Sequence, residues 1–461
     1  MAPEPAEQKA ARVESDFGEG NMTATSMAKE MSPELLKVME RAKDPKFVFL
    51  SLAHLIDEAA LGRAFRRIRK DAAVGVDGIT TEQYGQDLER NVRELHDRLR
   101  TMRWRHQPIR RVNIPKDHGK TRPVGISTVE DKLVQEAVRE VLEAVYEPMF
   151  LDCSYGFRRG RSAHDALRAL NGVLHRGKVG WILEIDIASF FDSIDRKLLM
   201  EMLQERVVDG SLKRLVGKCL HVGVLDGEEY SEPSEGTVQG STLSPLLGNV
   251  YLHHVLDVWF EQTVRPRLRG EAHLVRYADD AVLCFEREDD ARRVWEVLAK
   301  RFERYGLRLH PEKTRLLPHR RPDRTDTSGK GPSTFDFLGF THYWGRARSG
   351  QWTPRVRTRT ARLRRCIVAV ADWCRSHRHE PVKEQHTALT RRIAGHFNYF
   401  GVNGNVPSLR HVRRVCERVW HKWLNRRSQR AHKSWARFAD LLRDFPLPKA
   451  HVRVQLWGRP P

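Results

Sequence analysis

The feature that most constrains this chain is a pair of apolar, β-branched segments carrying carboxylates where buried strands ordinarily have none. WILEIDI, from Trp181 to Ile187, is short and apolar as a buried strand is, and it delivers Asp186 near its end. HLVRYADDAVLCF, from His273 to Phe285, reads as two strands joined at Ala278-Asp279-Asp280. An Asp-Asp pair at a hairpin is usually a solvated turn. A second acid-bearing strand in a basic chain changes that reading, because two Mg²⁺ ions about 3.5–4 Å apart need shared oxygen ligands from rigid elements.

Charge placement points to the partner. The chain has 81 Lys and Arg against 60 Asp and Glu, a net of +21. Residues 341–461 hold 27 basic and 6 acidic residues, so the whole excess lies there and the first 340 residues are balanced. Seven of the eleven tryptophans fall in the same stretch. Dense positive charge with aromatic rings suits nucleic acid, whose phosphates attract cations and whose unpaired bases stack. From Leu409, apolar residues at 409, 412, 416, 419 and 423 form one helical stripe. Arg410, Arg413, Arg414, Arg418, Lys422 and Arg426 lie off it and form a phosphate-ready face.

Between these landmarks, residues 1–45 lack periodicity and read as a flexible tail with one short helix, Pro33 to Arg41, ordered structure beginning near Phe47. Arg110 to Ile126 reads as two short strands. Ser127 with Glu130, and Ser162 with Asp165, signal capping boxes ahead of amphipathic helices. Gly236 to Leu252 is a loop then a helix, and FDFLGF, Phe335 to Phe340, is a further strand. Strands and helices interleave irregularly until about Thr353, after which the pattern is helical, so the expected class is α+β. The six cysteines form no CxxC pair, no apolar run reaches the ~18 residues of a membrane span, and the N-terminus has no signal-like apolar segment. A cytoplasmic protein is expected.

The ordered set RRVNIPKDHGKTRPVGI (Arg110 to Ile126), CSYGFRRGRSAHDAL (Cys153 to Leu167), WILEIDIASFFDSID, GTVQGSTLSPLLGNVYLH (Gly236 to His253), YADD, GLRLHPEKTRL (Gly306 to Leu316) and FDFLGF resembles the bacterial group II intron-encoded reverse transcriptases. GHFNYFGVNGNVPSLR and WLNRRSQRAHKSWARF resemble that family's thumb, or maturase, region. The resemblance implies a right-hand polymerase: fingers and palm over residues 46–345, then a basic helical thumb over 346–461. It implies that Asp186 and Asp279, with Asp280 beside them, bind two Mg²⁺ ions, for which Mn²⁺ can substitute. Lys116 and Arg122 would neutralise the triphosphate of a dNTP. Phe191 would exclude a ribose 2′-hydroxyl, although one of Phe190 and Phe191 has to face the core. Gln239 and Gly240 would contact the nascent base pair and template, Pro245 and Asn249 would shape the pocket, and Lys313 would protonate the leaving pyrophosphate.

Such a protein copies intron RNA into DNA at a target site and binds the intron RNA to help it splice, nucleoid-associated when it acts on DNA. Ala188 and Ser189 stand where relatives commonly carry Lys and Gly or Ser. The HNH endonuclease with paired cysteines seen in many relatives is not expected, so priming would use an existing DNA 3′ end. Two rival readings are a splicing cofactor whose palm is only scaffold, and a reverse transcriptase recruited to a role such as phage defence.

Overall fold

The computed structural model describes residues 31–115, 121–226, 229–231, 236–237, 240–323, 333–347, 349–428 and 432–457. Helix α1 (Pro33–Ala42) has Pro33 in its first turn, and the Ser32 hydroxyl accepts the Leu35 N–H at 3.3 Å. Its Leu35, Val38 and Ala42 are buried. Ordered structure therefore begins ahead of Phe47, because a 3–4 apolar spacing gives even this short helix a face to seat.

Helices α2 (Glu58–Arg67), α3 (Thr81–Gln86) and α4 (Leu88–Arg100), strands β1 (Ile109–Pro115) and β2 (Thr121–Ile126), and helix α5 (Val129–Tyr146) follow. Next come α6 (Ala163–Arg176), β3 (Trp181–Ile185), α7 (Arg196–Gln204), α8 (Gly210–Leu220), β4 (Val224–Asp226), β5 (Glu229–Ser231) and α9 (Ser244–Leu252). Strands β6 (Ala272–Tyr277) and β7 (Asp280–Phe285), helix α10 (Glu288–Arg304) and β8 (Arg315–Pro318) lead to β9 (Phe335–Phe337), β10 (Phe340–Arg346) and β11 (Trp352–Thr358). Helices α11 (Thr360–Ser376), α12 (Val382–Phe400), α13 (Val406–Leu424) and α14 (Trp435–Asp444) come last.

Helix α5 is capped by Thr128, one residue later than the expected Ser127. The Thr128 hydroxyl accepts the Asp131 N–H at 3.2 Å and donates to the Asp131 carboxylate at 2.7 Å, while Ser127 accepts from Gln135. Ser162 and Asp165 do form the reciprocal box that starts α6.

The central sheet has the order β6-β7-β3-β8, antiparallel throughout. Alternation along its strands explains the apolar runs. Leu183, Ile185, Leu274, Leu283 and Phe285 face one core with α5 and α9, whereas Ile182, Val275, Val282 and Cys284 face a second core. That second core contains α6 and also Val370, Leu389, Phe397, Val412 and Trp420 of the C-terminal helices. Each such side chain contributes about 1.5–3 kcal/mol when fully buried, so both covers are part of what holds the sheet.

Sheet β2-β1-β4-β5 pairs β1 with β4 in parallel. The third sheet corrects an expectation: FDFLGF is a hairpin rather than one strand. Leu338 and Gly339 both take positive φ, 49° and 78°, as a two-residue turn of the primed type requires, and Phe337 pairs with Phe340. Strands β10 and β11 pair along seven residues, so the helical region starts at Thr360 rather than at 346. On α13 the buried stripe is Leu409, Val412, Cys416, Trp420 and Leu424, with Val419 and Trp423 only partly covered. The 3.6-residue period carries the stripe one position on from the expected 419 and 423. After α14 the chain returns to α6 and to the loop that follows α12: Val454 bridges Val402, and the Arg168 guanidinium donates to the Gln455 carbonyl at 2.9 Å. Among the described residues no helix is long and apolar enough to cross a membrane.

Candidate active site

Tyr277 pairs with Asp280, which leaves Ala278 and Asp279 as a two-residue turn between β6 and β7. Ala278 holds a positive φ of 55°, a region that residues other than glycine seldom use and that strained functional sites do. Ile185 pairs with Ala281 on the neighbouring strand. One step further on, Asp186 comes alongside Asp280, so the register brings all three predicted carboxylates to one end of the central sheet. The Asp186 carbonyl accepts the His310 N–H at 2.8 Å and the Thr314 hydroxyl at 3.3 Å, and its carboxylate accepts both bonds of the Lys313 ammonium at 3.0 and 3.1 Å.

The electrostatics of this cluster fit a divalent cation. Protein crowding, then the carboxylates of Asp279 and Asp186, push the Asp280 carboxyl up to about 7, against the opposing charges of Lys313 and Arg362. Asp280 keeps an exposed surface, and a bound cation relieves the like-charge repulsion from Asp279 and Asp186. A carboxyl raised in the folded state favours folding below its unfolded value and loses that contribution as pH rises through about 7. Asp280→Asn is thus expected to raise the melting temperature in EDTA at pH 8, with the gain shrinking as pH falls toward 4. A gain independent of pH in scanning fluorimetry would contradict the repulsion.

Beyond β3, Ser189 takes a left-handed conformation, φ 46°, and turns the chain into a single 3₁₀ turn, Phe190–Asp192. Phe190 enters the core, while Phe191 stays half-buried. The two rings stack against Gly248 of α9, where an added Cβ would lie 3.0 and 3.3 Å from them. The Phe191 carbonyl accepts the Thr237 N–H at 2.7 Å. Gly240 has φ 105°, and a Cβ there would come 2.5 Å from the Gly125 carbonyl of β2. The loop around Thr237 and Gly240 therefore spans from Phe191 to the strand that carries Arg122. Lys116 and Gln239 lie outside the described residues, as does the Arg122 side chain, whose backbone pairs with Ile114. Pro245 sits in the first turn of α9, and the buried Asn249 donates to the Gly156 carbonyl at 2.7 Å.

Of the six basic residues expected on α13, Arg410, Arg414, Arg418, Lys422 and Arg426 are exposed, and Arg413 is half-buried and paired with Glu417 at 2.8 Å. Lys422 and Arg426 flank the Trp423 ring.

Residues 114–342 match the family described as reverse transcriptase (RNA-dependent DNA polymerase). These residues form a reverse transcriptase domain. The match takes in β2, the whole central sheet with its three carboxylates, and the β9–β10 hairpin. The chain is 37% identical over 249 residues to the group II intron-encoded protein LtrA of Lactococcus lactis subsp. cremoris, covering 52% of this chain and 41% of that one. It is 34% identical over 228 residues to YkfC of Escherichia coli K12, covering 48% and 58%. To nuclear intron maturase 4, mitochondrial, of Arabidopsis thaliana it is 33% identical over 148 residues, covering 32% and 18%. The alignments thus span between about a fifth and three fifths of these relatives' own lengths. Reverse transcriptases use divalent metal ions, in keeping with the crowded carboxylates.

Three functional candidates escaped the sequence reading. Glu184, two residues before Asp186, accepts the Asp336 N–H at 2.8 Å and the Arg315 guanidinium at 2.8 Å, tying β3 to the β9–β10 hairpin. Arg362, in the first turn of α11, brings positive charge near Asp280. Arg276 lies wholly buried one residue before Tyr277. Each charge interrupts an apolar strand or opens a helix near the site, and for Glu184 and Arg276 that interruption was a signal in the sequence.

Proposed function

We propose that this protein is an RNA-directed DNA polymerase of the group II intron type, which copies intron RNA into DNA and binds that RNA to assist splicing. The convergence of Asp186, Asp279 and Asp280 at one sheet end carries this reading. Two Mg²⁺ ions, or Mn²⁺ in their place, would there activate a primer 3′-hydroxyl and stabilise the leaving pyrophosphate. Asp186 and Asp279 would hold them, with Asp280 contributing. Lys313, which is on the Asp186 carboxylate, would give the leaving pyrophosphate a proton. Lys116 and Arg122 would meet the triphosphate, and Gln239 with Gly240 the nascent pair. Partners are the intron RNA, an RNA template with a DNA primer, dNTPs and target DNA, in the bacterial cytoplasm. Extension of a DNA primer on an RNA template with Mg²⁺ and dNTPs tests the assignment; tight binding of the hybrid without extension would favour the splicing-cofactor reading.

Phe191 supports a sugar gate, because Phe190 is buried in the core whereas Phe191 is only half-buried. Phe191→Ala is expected to lower the preference for dNTPs over rNTPs by about tenfold or more, since a removed ring edge gives up roughly 1–3 kcal/mol of discrimination. Unchanged selectivity in competition assays would move the gate elsewhere.

The exposed face of α13 would carry RNA. Replacing Arg410, Arg414, Arg418 and Lys422 together by Gln should flatten the salt dependence of RNA binding by up to about 3 units of log K per log salt, at ~0.7 per neutralised phosphate on single strands. An unaltered slope in filter binding would place the RNA surface off α13.

A further inference from the structure

The Arg276 guanidinium uses all five of its N–H donors inside the protein. Nε and Nη2 donate to the two oxygens of Asp257 at 2.7 and 2.5 Å. Nη2 also donates to the Ser154 hydroxyl at 2.8 Å, and Nη1 to the Asn249 amide oxygen at 3.0 Å and the Ala278 carbonyl at 2.9 Å. Arg276 and Asp257 are both without exposed surface. The last acceptor matters most, since Ala278 is the strained first residue of the turn that presents Asp279.

The surrounding chain converges on the same turn. Ser154 bridges Arg276, the Arg276 N–H donates to Cys153 and the Tyr155 N–H donates to Arg276, each at 2.8 Å. Gly156 then packs so close that an added Cβ would lie 2.3 Å from the Ala278 nitrogen, and its carbonyl is held by Asn249, the residue that also receives Arg276. Asp257 ends a wide π-helical turn, His253–Asp257, continuing α9. Such turns are rare and recur at functional sites, because the extra residue re-aims the side chains beyond it. A buried ion pair is seldom a net source of stability: desolvation roughly cancels the attraction, and apolar replacements of the pair are often tolerated. Its use here therefore calls for a role besides stability.

We infer that Arg276 is a positioning residue: clamped by Asp257, Ser154 and Asn249, it fixes the Ala278 carbonyl and so sets the placement of the Asp279 and Asp280 carboxylates. This rests on the polymerase reading for its catalytic consequence, but not for its structural one. The experiment compares wild type with the paired variant Arg276→Met/Asp257→Leu, which removes both charges together, and with Arg276→Lys, which keeps the charge but lacks the fork. Three quantities are read: melting temperature, deuterium uptake in the peptide covering the turn, and kcat and KM for dNTP at varied Mg²⁺.

For the paired variant the expected result is a melting temperature near wild type, faster uptake confined to the turn, and kcat about 100-fold lower, the scale of an ångström's misplacement. KM for dNTP should stay within about twofold while half-saturating Mg²⁺ rises. Arg276→Lys should not restore kcat. Unchanged uptake and kcat within about threefold in a folded variant would overturn the inference. Failure of both variants to fold would equally overturn it, by making the pair structural. A wild type that does not extend primers would sink the polymerase reading alone, since uptake at the turn still decides whether the clamp holds.

Discussion

Asp279→Ala is expected to abolish primer extension, by three orders of magnitude or more, while leaving binding of an RNA–DNA hybrid nearly intact. A carboxylate that holds the metal at the reacting centre acts in the transition state and hardly at all on the distant duplex, so its loss appears in kcat. A thousandfold corresponds to about 4 kcal/mol, within what preorganised charge stabilisation supplies. The half-buried turn tolerates alanine, because Asp279 lies at a hairpin rather than in a core. Extension that persists within tenfold of wild type would remove Asp279 from the metal site. Loss of RNA-assisted splicing without loss of RNA binding would in addition argue against a palm that is only scaffold.

The second large effect is on stability. Ending the chain after Thr358 removes α11 to α14 and with them the cover of the sheet face made by Ile182, Val275, Val282 and Cys284. That core includes Trp420, fully buried with its Nε1–H donated to Gln385 at 2.9 Å. The truncated protein is expected to lose cooperative unfolding altogether, and Trp420→Ala in the full chain to cost about 3–5 kcal/mol. Circular dichroism and thermal melts check both. A truncated protein melting like the full chain would mean that the chain up to Thr358 folds without its C-terminal partner.

The central sheet was legible because its strands are covered on both faces, which forces continuous apolar runs and makes Asp186 and Asp279 stand out. Phe190 against Phe191 was not decidable from the sequence, since the choice depends on the left-handed Ser189 that turns the chain. FDFLGF hides its turn because an apolar Leu occupies a turn position that its neighbour Gly339 makes possible. The Arg276–Asp257 pair joins residues nineteen apart through a π-helical turn that no local pattern announces. The N-terminal helix is easily underrated because its three apolar residues signal burial only once α5 is there to receive them.

The shared cover of the central sheet also has a consequence for how the protein is made. Strand β7 leaves the ribosome complete at Phe285, yet the residues that close its second face extend to Leu456. At ~5–20 residues per second, the sheet waits roughly 10–30 s with one apolar face bare. During that interval its acidic edge exists before the basic C-terminal helices do, so the chain's net positive charge arrives only with the segment that also covers the bare face.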